Sequence, residues 1–105
     1  VAQLAAFAGI DARIEQIWHM PATRFDAELG GIVDRTAQDL GFSRVSIVSG
    51  AGHDSLHTAQ FAPTAMIFVP CAGGLSHNEA ESATPADLEA GANVLLQSVL
   101  CVAND

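Results

Sequence analysis

The 105 residues are half apolar, with a mean hydropathy of +0.30 and a formal charge of -8 set against Arg13, Arg24, Arg35 and Arg44 as the only fixed cations. Nucleic acid and anionic membrane surfaces both require a basic footprint, so neither is expected as a partner. The length suits about one small domain, no uninterrupted apolar run approaches the roughly 20 residues of a membrane helix, and Cys71 and Cys101 have neither zinc-type nor redox spacing, so a reducing cytoplasm is expected.

Taken in chain order, Val1, Leu4, Ala5 and Ala8 recur at helical spacing and stop at Gly9, which predicts a short helix over 1–8. With no initiating Met and no basic n-region, this start reads as the interior of a longer chain. From Ile10 to Trp18 the pattern alternates, with Ala12, Ile14, Gln16 and Trp18 on one side, and predicts a half-buried strand. Met20-Pro21-Ala22-Thr23 breaks that pattern and marks a seam. From Phe25 or Asp26 a helix carrying Leu29, Ile32, Val33, Ala37 and Leu40 on one face is predicted to run to Gly41.

Val45–Val48 reads as a short apolar strand, and Asp54–Gln60 has room for two helical turns before Pro63. Thr64–Val69 is apolar or β-branched throughout, as in a strand buried on both faces, and Pro70 ends it. The last helix opens on Thr84-Pro85-Ala86-Asp87, with Thr as N-cap, Pro at the first helical position and an acid three residues after the cap. It is predicted to reach about Val102, with Leu88, Val94, Leu95, Val99 and Val102 inward. The order α-β-α-β-α-β-α predicts an α/β fold, part of a layered sheet with helices on its faces and at least two parallel neighbouring strands.

Two glycine-loosened turns follow predicted strands, Ser49-Gly50-Ala51-Gly52-His53-Asp54 and Gly73-Gly74-Leu75-Ser76-His77-Asn78-Glu79-Ala80-Glu81. If the strands at 45–48 and 64–69 are parallel, both turns leave the same carboxyl edge, where open α/β sheets bind ligands, and His53 and His77 share one crevice. Glycines admit a ligand close to the backbone, and a helix starting near Asp54 offers free N–H groups to an anion. His77 has the chemistry of a ligand for a divalent metal, but one ligand is not a site, and a catalytic zinc takes about three protein ligands. Glu81 is placed to orient the His77 ring from behind or to cap the following segment. Blander readings stand beside these: His77 as an exposed loop residue, His53 as a helix-start residue bonded to nearby backbone, Asp54 as a helix-terminus charge. His57 reads as a helix-face residue, His19 as structural and Cys71 as a small packed residue.

Taken together, the Ser49–Asp54 turn, Pro63-Thr64-Ala65-Met66-Ile67-Phe68-Val69-Pro70, and Gly74-Leu75-Ser76-His77-Asn78 with Glu81 resemble the C-terminal part of a known enzyme family. It comprises the metal-dependent amidohydrolases related to N-carbamoyl-L-amino-acid hydrolase, allantoate amidohydrolase and β-ureidopropionase, within the aminoacylase and carboxypeptidase superfamily. The likeness extends upstream through Gln16–Pro21 with Phe25-Asp26 and downstream from Thr84 to Leu100. It implies that residues 1–20 are the last helix and strand of a lid or dimerisation domain and that 21–105 end a catalytic domain.

By the same resemblance His77 matches the last ligand of a two-metal centre (zinc, manganese, nickel or cobalt), and Glu81 the acid that accompanies it. Gly52 and His53 match the substrate pocket, with His53 polarising the carbonyl or stabilising the tetrahedral intermediate. The implied reaction is hydrolysis of a ureido or amide C–N bond in a small molecule by a metal-activated water, with a glutamate as general base, in a homo-oligomer. The family's His-x-Asp motif, paired Glu-Glu, further ligand histidine and carboxylate-binding arginine have no counterpart in these residues. The expectation is therefore a C-terminal fragment, inactive and possessing no complete metal site by itself. A related aminoacylase or dipeptidase is the alternative among enzymes, and a non-catalytic scaffold or interaction domain the alternative outside them.

Overall fold

Asp26 and Thr84 begin the two long helices of this chain, and each does so with its own side chain. A computed structural model describes residues 2–104 and contains, among them, α1 (Ala2–Ala8), α2 (Ala27–Asp39), α3 (Ser55–Thr58), a 3-10 turn at Ala72–Gly74, and α4 (Pro85–Ala103). Asp26 Oδ1 accepts from the Leu29 N–H at 2.9 Å, satisfying one of the donors that a helix start leaves free. Thr84 Oγ1 accepts from the Asp87 N–H at 3.2 Å, with Pro85 in the first turn where its missing N–H costs nothing.

Gly41 closes α2 as expected. At φ +77° it lets the Phe42 N–H reach the Ala37 carbonyl and its own N–H reach the Gln38 carbonyl, both at 2.9 Å, the paired bonds of a Schellman motif. Asn104 ends α4 by donating from Nδ2 to the Leu100 carbonyl at 2.7 Å. These four boundaries lie within a residue or two of where the sequence pattern puts them, as does α1, though Val1 lies outside the described residues.

Among the described helices only α2 and α4 pack on one another, with the extended 64–69 segment against both. Gly91 makes that approach possible: a Cβ on it would sit 2.5 Å from Val69 Cγ1, well inside van der Waals contact. Asp26 N–H bonds the Thr64 carbonyl at 2.9 Å and so fixes where α2 begins relative to the start of that segment. Ile32, Ala37, Val94 and Ser98 form the small buried centre.

The inward faces assigned from periodicity are only partly covered. Leu88, Leu95 and Val99 stay half-exposed and, with Leu29, Val33 and Ile67, line an apolar groove of about 690 Å³. The radius of gyration is 19.2 Å, whereas a compact chain of this length has about 13 Å, so these residues do not close into the one small domain that their length suits.

No strand is present among the described residues, and the predicted segments 10–18, 45–48 and 64–69 run without ladder partners. Strand pairing is an inter-segment bond, and alternation or β-branching makes a segment fit for a sheet without supplying its neighbour. Exposure says the same: Ile17 is 92% and Val48 97% exposed. In α4 an 18-residue stretch reaches a mean hydropathy of 1.2, long and apolar enough by composition to cross a membrane, although Asp87, Glu89, Asn93 and Gln97 divide it into shorter apolar runs. The helix packs on α2, but most of its apolar residues stay half-exposed.

Candidate active site

Ser49-Gly50-Ala51-Gly52-His53 turns back on itself because Ser49 Oγ accepts from the Ala51 N–H at 3.2 Å and also lies 2.9 Å from His53 Nε2. Serine hydroxyls bond locally in this manner when neighbouring glycines leave the backbone free to bend. The ring of His53 is thereby held half-buried, edge-to-face with Phe68 at 5.4 Å between centroids. Ser55 Oγ donates to Met66 Sδ, which ties the start of α3 to the same extended segment that carries Phe68.

The second turn is built by a carboxylate. Glu81 Oε2 accepts from the His77 main-chain N–H at 2.8 Å, and Oε1 accepts from Ser76 Oγ and from Cys71 Sγ, each at 3.4 Å. Ala72 N–H to the Ser82 carbonyl, 2.7 Å, closes the base of the loop. Gly73 at φ +62°, Gly74 at φ +69° and His77 at φ +56° all occupy the left-handed region, which for His77 is uncommon and held in place by the Glu81 bond. The His77 N–H, followed by the Cys71 thiol, holds the Glu81 carboxyl below the ordinary carboxylate range. In return the hydrogen bond to Glu81 raises the Cys71 thiol above its usual value.

The two turns meet. The His53 and His77 rings stand edge-to-face with centroids 5.4 Å apart, so the histidines expected to share one crevice are neighbours even though no sheet edge brings them there. Glu81 is placed differently from the expectation that it orients the His77 ring: its carboxylate secures the backbone on which the ring is mounted. The space before Gly52 is open, with nothing within 4 Å of where a Cβ would lie. Asp54 makes no side-chain cap bond, and α3 is a single turn of 4 residues, too short to aim a helix dipole at an anion, so that expectation is withdrawn. His57 and His19 are exposed and outside the cluster.

Ser49 and Phe68 are the residues that pattern reading misses. Ser49 had a signal, its place four residues before His53 in a glycine-flanked turn; Phe68 had none, because nothing in the run Thr64–Val69 distinguishes it from the apolar residues beside it. Among the described residues no group of three His, Cys, Asp or Glu side chains converges as a metal cage.

Comparison with known proteins settles the lineage. The model of the peptidase family M20/M25/M40 matches residues 6–100. The chain belongs to that family. Within the M20/M25/M40 group it is 47% identical over 92 residues to an N-carbamoyl-L-amino-acid amidohydrolase of Rhizobium meliloti, a match that takes in 88% of this chain and 22% of that protein. It is 37% identical over 87 residues to the allantoate amidohydrolase of Bacillus subtilis, covering 83% of this chain and 21% of that one.

Among solved structures of hydantoinase/carbamoylase-family amidases, one from Burkholderia vietnamiensis superposes with a TM-score of 0.81 at 51% identity and one from Burkholderia multivorans with 0.86 at 48%. Both matches cover 95% of this chain and 24% of the other. The chain thus spans less than a quarter of the length of these M20/M25/M40 relatives. They agree with an α/β hydrolase domain, and the resemblance read from the two glycine turns holds at the level of family.

Proposed function

We propose that this chain is the C-terminal segment of a metal-dependent amidohydrolase that cleaves a ureido or amide C–N bond in an N-carbamoyl amino acid or related small molecule. One observation carries the reading. The Gly52-His53 turn and the His77 turn, far apart in sequence, come together with their imidazoles 5.4 Å apart and open space before Gly52. The names of the relatives, which include ureidoglycolate hydrolases as well as carbamoyl-amino-acid and allantoate amidohydrolases, support ureido chemistry.

In this reading His53 donates from its ring to the carbonyl oxygen of the scissile bond and strengthens that bond as negative charge develops there. Phe68 covers one side of the ring, and Gly52 gives the substrate room against the backbone. His77 serves as one ligand of a centre whose other ligands lie outside these residues, and Glu81 keeps its backbone in the unusual conformation that presents the ring. Divalent metal, when bound in such a centre, supplies Lewis-acid polarisation and a nucleophile at neutral pH. Residues 1–20 belong to a lid or dimerisation domain and 21–105 to the catalytic domain. In support of that division, α1 packs on none of the other described helices. The bare apolar groove and exposed strand-like segments favour burial against more protein, in the same subunit and in an oligomer.

The test is hydrolysis of N-carbamoyl, allantoate, N-acetyl and dipeptide substrates by the longer protein that contains this segment, before and after chelation. Turnover of ureido substrates that chelation abolishes and metal restores is the expected result. A clear preference for dipeptides, the chemistry in the family's name, would move the assignment to a peptidase, and no turnover with any of the four would leave a non-catalytic domain. His77→Ala is expected to lower bound metal by about one equivalent or weaken its affinity at least tenfold, measured by metal analysis after dialysis.

A further inference from the structure

The geometry points to Ser49 as a positioning residue for His53, one that fixes which ring nitrogen faces the substrate; the inference rests on the amidohydrolase reading and adds a residue to it. Ser49 Oγ has one proton and two lone pairs. The Ala51 N–H takes one lone pair at 3.2 Å, and His53 Nε2 stands 2.9 Å away. With Ser49 O–H donating to Nε2, the hydroxyl proton and the Nε2 lone pair satisfy each other within the turn, whereas the other tautomer leaves the proton of this half-buried hydroxyl to solvent. The neutral ring then carries its proton on Nδ1. Phe68 and His77 each meet the ring edge-to-face at 5.4 Å.

The consequence is chemical. An imidazole that is to stabilise a developing oxyanion must present an N–H, and a ring free to exchange tautomers presents it only part of the time. Ser49 removes that freedom without touching substrate. The turn itself explains how: Ser49 Oγ takes the Ala51 N–H and reaches the Nε2 of a ring four residues on, and at Gly50 and Gly52 a Cβ would meet nothing, so the contact stands on the Ser49 side chain rather than on either glycine.

The experiment is a double-mutant cycle in the longer enzyme that contains this segment, with ureido substrate under saturating metal. Ser49→Ala is expected to lower kcat about tenfold with KM within twofold, the scale of one neutral hydrogen bond. Ser49→Thr, which keeps the hydroxyl, is expected to recover most of the loss. The double variant Ser49→Ala/His53→Ala is expected to be no slower than His53→Ala alone, because Ser49 acts only through that ring. Metal content should be unchanged in all of them.

In ¹⁵N spectra of the neutral ring, the wild type is expected to show Nδ1 protonated and Ser49→Ala a mixture of tautomers. Losses that multiply in the double variant, an unaffected Ser49→Ala enzyme, or a wild-type ring protonated on Nε2 would each overturn the inference while leaving the amidohydrolase assignment intact. Absence of any hydrolysis by the wild type would overturn that assignment instead, and the ring spectra would still decide whether Ser49 sets the tautomer.

Discussion

Replacing Gly91 with alanine tests the packing of the whole segment, because the same change at Gly30 serves as its control. Alanine is about 1 kcal/mol better than glycine in a helix interior, and both glycines lie inside helices, Gly30 in α2 and Gly91 in α4. At Gly30 a Cβ meets nothing within 4 Å, so Gly30→Ala is expected to stabilise by about 1 kcal/mol. At Gly91 the new Cβ would be 2.5 Å from Val69 Cγ1, about 1 Å short of ordinary carbon–carbon contact, and valine has little rotamer freedom to yield. Overpacking of this kind costs about 1–3 kcal/mol.

The propensity gain is common to both variants, so the difference between them isolates the clash at about 1–3 kcal/mol. Urea unfolding followed by far-ultraviolet circular dichroism reads it directly. A third variant sharpens the test. Val69→Ala removes Cγ1 and leaves the Val69 Cβ position 4.0 Å from the new methyl, an ordinary contact, so Gly91→Ala should cost nothing extra in that background. Equal stabilisation by Gly30→Ala and Gly91→Ala would show that the 64–69 segment does not lie against α4 as described here.

Other expectations follow from single contacts. Ser98 is buried with no partner for its hydroxyl among the described residues, so Ser98→Ala is expected to stabilise by about 1 kcal/mol in the same unfolding assay, and a loss of stability would show that the hydroxyl is paired. Asp26→Ala and Thr84→Ala each remove a cap and are expected to cost about 1 kcal/mol, whereas Arg44→Ala, which breaks a 2.7 Å but exposed pair with Asp34, should cost less than about 1 kcal/mol. Glu81 is held below its usual pKa by the His77 N–H, so its contribution to the 71–82 loop is present above the unfolded carboxylate value and is lost as pH falls through the depressed one. Exchange of the His77 amide should therefore stay slow, relative to its intrinsic rate, from neutral pH through mild acid and lose protection only below the usual carboxylate range. Loss of protection at or above that range would refute the assignment.

What the sequence announces here is local. Asp26, Gly41, Thr84 and Pro85 name helix ends because a cap, a left-handed residue and a missing N–H act within one turn of themselves. The meeting of His53 and His77 was also legible, though its stated cause, a shared sheet edge, is not what the described residues display. The strands were not legible as strands, since Val45–Val48 and Thr64–Val69 carry the right side chains yet find no neighbouring strand within these residues. Glu81 shows a subtler limit: spacing placed it beside His77 but could not distinguish the ring from the main-chain N–H, and the left-handed backbone at His77 decides for the latter. The half-covered faces of α2 and α4 have the same origin as the missing strands, for periodicity tells which side of a helix is apolar and not what lies against it.

The backbone at residue 77 also limits what any descendant of this protein can place there. With φ at +56°, the position is comfortable for glycine, tolerable for asparagine, aspartate and histidine, and costly for branched or bulky side chains. Of the tolerated set only histidine and aspartate are good donors to a divalent cation. Backbone permission and the ligand role proposed for residue 77 thus overlap in two residues only, and His77→Asn becomes the substitution that removes the imidazole while leaving the loop its shape. A library built at this position would explore three or four letters rather than twenty, and a natural variant carrying anything else would have had to rebuild the turn from Gly73 onward.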